Sequence, residues 1–152
     1  MQNNLIHHTV AHLSQENLQS LIATSTGFID AYDIPVHDDA NILLPQNMVL
    51  SAMKVGANSH YVEWHEKQLP TYNLCTPEAD DVTALVIEGE EENTRFALLC
   101  DHMPESLRLR ISQVSDINRP VSDTVYQYVE VDGHVYQIPN LANIQKQLFT
   151  KK

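Results

Sequence analysis

The sequence predicts a mainly β protein, built either as one compact unit or as two small barrels sharing a core. Three observations carry this reading. Between Tyr61 and Ile138, short apolar runs without helical period recur, among them T-A-L-V-I-E-G, R-F-A-L-L-C-D and Y-V-E-V-D-G-H-V-Y-Q-I. Charged or Gly-containing turns separate these runs at the spacing of a small barrel, and Asp132-Gly133 is the strongest hairpin dipeptide in the chain. The chain has 152 residues, enough to bury roughly two thirds of the unfolded surface, so no disulfide or metal is needed to hold the fold.

The amino-terminal stretch is expected to hold a short helix over about 14–24. Ser14 is a good N-cap, Leu13 and Leu18 take the two positions of a hydrophobic staple, and Leu18, Leu21 and Ile22 line one face. Gly27 ends that stretch, and residues 1–26 are assigned as an amino-terminal extension. From Phe28 the period changes. Phe28–Ile34, and Ile42 through Val49, read as two strands around a His37–Asn41 turn, with Pro35 tolerated at a strand end. Gly56–Ser59 is a further turn, and Tyr61–Leu74 holds one or two strands around Pro70. The longest polar break, Thr76–Asp81, is read as the boundary between two halves of a domain covering 27–152.

Val82–Glu88 and Phe96–Asp101 form the next expected hairpin. Its tip gathers Glu88 and Glu90 to Glu92, a cluster natural to solvent and foreign to a core. Leu107, Leu109 and Ile111 alternate with Arg108 and Arg110, which predicts a half-exposed strand with both arginines on one face. Tyr126–Val131 and His134–Ile138 pair across Asp132-Gly133, and Leu141, Ile144 and Leu148 predict a closing helix over about 140–149.

Composition narrows function by exclusion. The formal charge is −11; residues 1–76 hold two Lys/Arg against seven Asp/Glu, giving −5, and residues 77–152 hold seven against thirteen, giving −6. Acidity spread over the whole chain argues against nucleic acid and anionic membranes as partners, since both attract basic surfaces. The amino terminus lacks the basic flank and long apolar core of a secretion signal, and no apolar run approaches about 18 residues, so membrane insertion is not expected and a cytoplasmic location is. Cys75 and Cys100 close apolar runs and read as buried, reduced thiols.

No residue pattern points to catalysis. His8 and His12 are spaced for one helical face beside His7, yet no Glu lies between them and no third ligand follows; His37-Asp38-Asp39 has too few carboxylates for a calcium loop. There is no G-x-S-x-G elbow and no glycine-rich phosphate loop, and Asp101 with Glu105 is only the kind of carboxylate pair any acidic chain offers. Neither metal nor cofactor is expected. The lone tryptophan, Trp64, alternates with charged residues. It either plugs a barrel mouth or anchors a partner together with His65, Glu66 and the neighbouring Val62 and Leu69.

Several of these segments resemble one family. Leu69-Pro70-Thr71-Tyr72-Asn73-Leu74 is similar to the P-v-x-D-L strand of the CheW-like chemotaxis coupling proteins, and Phe96–Asp101 to their g-l-l-v-D-x-V strand. Val129–Ile138 followed by Leu141 resembles their closing segment, while Ile34-Pro35-Val36 and Ile42–Val49 resemble the opening strands of members from pilus-associated chemosensory systems. The resemblance spans about residues 28–150. It implies two intertwined five-stranded barrels and a non-catalytic adaptor joining a chemoreceptor to a CheA-like histidine kinase, for chemotaxis or type IV pilus twitching motility. One departure matters: where the family carries an Arg-Gly pair in its receptor-binding region, this chain has His65 and Glu66. Two other classes stay open, a β-barrel interaction module for a different partner and a small hydrolase or metal enzyme.

Overall fold

The computed structural model describes residues 27–57 and 59–150. The extension 1–26, with its expected helix over about 14–24 and the His7, His8 and His12 group, lies outside the described residues. Among the described residues, eleven strands and one α-helix come in order: β1 (Phe28–Ile34), β2 (Asn41–Pro45), β3 (Val49–Gly56), β4 (Tyr61–Trp64), β5 (Lys67–Asn73), β6 (Asp81–Ile87), β7 (Phe96–Cys100), β8 (Glu105–Arg110), β9 (Val114–Ile117), β10 (Val125–Val131), β11 (His134–Pro139) and α1 (Leu141–Thr150). They form two mixed sheets, a six-stranded one in the order β8-β1-β2-β11-β10-β9 and a five-stranded one in the order β3-β6-β7-β5-β4. The fold is mainly β with a carboxy-terminal helix, as expected. The second sheet has the anticipated five strands and the first has one more.

Connectivity forces the six-stranded sheet to curl. Residues 111–113 link Arg110 on one edge strand to Val114 on the other. Four peptide links reach at most about 14 Å, whereas a flat six-stranded sheet would hold its edges about 24 Å apart. In the second sheet, residues 57–60 link the edge strands β3 and β4 in the same way. Each curled sheet encloses its own core: Ile29, Ala31, Leu43, Leu109, Val129 and Ile138 fill the first, and Val62, Leu69, Val82, Ala84, Val86 and Leu99 the second.

A third cluster lies between the two. Ile34, Ile42, Leu44, Leu85, Ile87, Phe96 and Leu98 pack there with Leu141 and Ile144 of α1. β7 is buried at every position because Ala97 and Leu99 face the second barrel while Phe96, Leu98 and Cys100 face the layer between barrels. That two-sided burial explains why F-A-L-L-C shows no alternation of apolar and polar residues.

The polar break at 76–81 is not the boundary between barrels. It joins β5 to β6, two strands of the same sheet. The chain instead crosses between sheets twice, at residues 46–48 and again at 101–104, so the second barrel is inserted within the sequence of the first. The expected run from Ile42 to Val49 is also broken, by a 3-10 turn over Gln46–Met48, and Val49 opens β3. Pro70 falls opposite Tyr61 of β4, just before the parallel pairing with β7 begins at Thr71, so its missing N–H leaves no gap in that ladder.

Candidate functional site

The β4–β5 hairpin presents the residues singled out from sequence. Trp64 pairs with Lys67 across a two-residue loop, and both loop residues adopt positive φ, 51° at His65 and 67° at Glu66. Two consecutive left-handed residues are the mark of a type I′ turn, which favours Asn and Gly; a side chain with a Cβ costs about 1–2 kcal/mol in that region. The His65 ring stacks on Trp64 with centroids 4.0 Å apart and planes 30° from parallel. The Arg95 guanidinium lies 5.3 Å from the indole centroid, brought there from just before β7.

Alternation along β4 decides which of these side chains a partner could meet. Val62 and Trp64 turn inward, Tyr61 and Glu63 outward. Val62 and Leu69 pair across the hairpin and are both buried in the second barrel core, so they cannot be partner contacts and are corrected to core residues. Trp64 is half-buried, packed against that same core while His65 and Arg95 also lie against its ring. Its packing on the second core is that of a side chain at the barrel mouth. His65 and Glu66 are exposed, and Tyr61, outward on the edge strand, is 60% exposed.

Other sequence candidates have structural employment. Asp101 accepts a hydrogen bond from the Thr76 N–H (3.0 Å), tying the 76–81 loop to the end of β7. Asp39 accepts from the Tyr128 hydroxyl (3.1 Å) and the Ala40 N–H (2.7 Å), while Asp33 accepts from Tyr136 (3.3 Å) and Asn41 (2.8 Å). This polar cluster pins the β1–β2 turn to β10 and β11, and sequence patterning missed it because its members lie about a hundred residues apart, 39 to 128 and 33 to 136. Among the described residues, no three His, Cys, Asp or Glu side chains lie close enough to hold a metal ion.

The two thiols are held unreactive. Burial first, then the charge of and a hydrogen bond to Asp101, pushes Cys75 up to about 11. Burial first, then the proximity of Cys75 and Asp101, pushes Cys100 up to about 12. Both stay protonated near neutral pH and are poor nucleophiles.

No helix of the described residues is long and apolar enough to cross a membrane. No family model matches this sequence, and no curated protein matches it. Among solved structures, the chain superposes on the crystal structure of the scaffolding protein TtCheW from Thermoanaerobacter tengcongensis with a TM-score of 0.52 and 13% sequence identity, covering 74% of this chain and 88% of that one. Two curled sheets, intertwined by a double crossing and closed by a carboxy-terminal helix, thus give this chain a CheW-like fold.

Proposed function

We propose that this protein is a non-catalytic, cytoplasmic adaptor that links a chemoreceptor-type sensor to a CheA-like histidine kinase, in a chemotaxis or pilus-associated pathway. The observation that carries this reading is the superposition on a scaffolding protein over 88% of that protein's length. The motif resemblance of residues 28–150 supports it independently, because it lies in sequence segments rather than in shape. Partner contact in this reading falls on the β4–β5 turn, where His65 and Glu66 replace the Arg-Gly pair of the family. A histidine cannot reproduce the bidentate donor of a guanidinium, so the protein is matched to a receptor different from the usual one.

Titration calorimetry with the CheA-like kinase of the same cell, and separately with a standard chemoreceptor signalling fragment, tests the proposal. The expected result is saturable binding to the kinase and none to the standard receptor. Absence of kinase binding by correctly folded protein overturns the adaptor reading and leaves a barrel module for another partner.

A further inference from the structure

The six-stranded sheet has an open seam. Its two edge strands, β8 and β9, are joined by residues 111–113, yet no ladder connects them. The two edges differ in kind. On β9, Asp116 lies across from the buried Val129 and so points to the barrel interior, and among the described residues neither of its carboxylate oxygens has a hydrogen-bond partner. An inward charge of this sort blunts an edge against further pairing. The β8 edge carries no such guard.

The ladder between β1 and β8 fixes which backbone groups that edge offers. The Ile111 N–H donates to the Gly27 carbonyl (2.8 Å), and pairs alternate from there, so Leu109 and Leu107 turn their backbone toward β1. Ser106, Arg108 and Arg110 turn theirs outward. The Arg110 N–H is satisfied by the Gln113 side chain (2.7 Å), so among the described residues Ser106 and Arg108 are left to offer an N–H and a carbonyl each at the open end of the seam. Both residues are exposed.

Side chains give the same edge a charge preference. Arg108 and Arg110 stand on one face with Phe28 between them, their guanidinium carbons 5.0 and 4.9 Å from the ring centroid. Stacking on an aromatic face holds a guanidinium in place while leaving its N–H fork free to meet a carboxylate. Among the described residues, the ion pair on this face, Arg108 to Asp30, is loose at 3.8 Å between side chains 66% and 58% exposed. Residues 27–150 hold seven Lys/Arg against nineteen Asp/Glu, so two adjacent guanidiniums run against the charge of the whole surface. Met103, 49% exposed, adds an apolar contact just before the strand.

We propose that the outer edge of β8 is a strand-addition site for an extended acidic segment of a partner protein. The segment pairs with the backbone of Ser106 and Arg108 and sets carboxylates against Arg108 and Arg110. Backbone pairing provides the affinity and the cross-strand charges the selectivity. This surface is separate from the β4–β5 turn and does not depend on the adaptor reading.

Full-length, isotopically labelled protein titrated with an acetylated heptapeptide of alternating Glu and Val tests it by amide chemical shifts. Saturating shifts at Ser106 and Arg108 are expected, with a Lys-for-Glu peptide binding at least about tenfold more weakly. The double variant Arg108→Glu/Arg110→Glu is expected to invert that preference. Arg108→Lys/Arg110→Lys, which keeps the charge, is expected to retain the preference for the acidic peptide, separating a folding defect from a lost site. Several results overturn the proposal: equal binding of both peptides, shifts confined to β3 or β4, or undiminished binding of a peptide N-methylated on alternate residues. No shift at millimolar peptide assigns the arginines to edge protection alone. Shifts that grow with protein concentration in the absence of peptide identify a second copy of this chain as the occupant.

Discussion

Two hairpins in this molecule turn through the same backbone geometry with opposite residue choices. Asp132 and Gly133, at φ 51° and 84°, join β10 to β11. His65 and Glu66, at 51° and 67°, join β4 to β5. The first pair suits a type I′ turn, whereas the second places two bulky side chains where Asn and Gly are favoured. Strain of this kind persists where the side chains themselves are needed, and here one of them stacks on the only tryptophan. The first barrel has a turn whose residues suit its backbone, and the second has one whose residues do not.

The contrast is broken most severely at Trp64. Trp64→Ala removes a half-buried ring from the second core together with the His65 stack and the Arg95 contact, and is expected to lower the unfolding free energy by about 2–3 kcal/mol in urea titration. In the adaptor reading it also weakens the kinase complex by about 2 kcal/mol or more; wild-type affinity in a folded Trp64→Ala protein would show that the surface lies elsewhere. Next in size is Gly133→Ala. An added Cβ there meets nothing within 4 Å, so the expected loss of about 1–2 kcal/mol is backbone strain alone. Glu66→Gly runs the same experiment backwards and is expected to gain about 1 kcal/mol while reducing partner affinity. A stabilised variant that binds as well as the wild type would remove the functional reason for the strain. The smallest effect belongs to His65→Ala, which keeps the positive φ and loses only the stack, about 0.5 kcal/mol by thermal melting.

Much of the fold was legible because local signals agreed with it. Phe28–Ile34 was recovered to the residue, and the Asp132-Gly133 hairpin and closing helix fell where turn chemistry and helical spacing put them. β3 was missed because Ser51, Ala52 and Gly56 dilute its apolar positions, and β9 because four residues are too few to show a period. The misplaced boundary at 76–81 has a different cause: loop polarity reports exposure, whereas sheet membership depends on pairings such as Val49 with Ile87 that no local window contains. The site shows the same division. Trp64 stands out by composition, but only the inward parity of β4 places Val62 in the core, and only the tertiary fold brings Arg95 to the indole.

The double crossing between sheets sets an order of assembly. Every pairing in the second barrel closes a loop no longer than the one from Val49 to Ile87, a separation of 38 residues, whereas the first barrel needs Asn41 to meet Tyr136, a separation of 95. The longer closure in an open chain costs only about 0.8 kcal/mol more, but collapse of the intervening barrel shortens the distance to be closed. The Glu88 N–H donates to the Met48 carbonyl (3.2 Å), holding the end of β6 against the entry to the inserted barrel. The second barrel is in effect the folded linker of the first. Pulse-labelling hydrogen exchange is expected to protect β6 and β7 before β2 and β11.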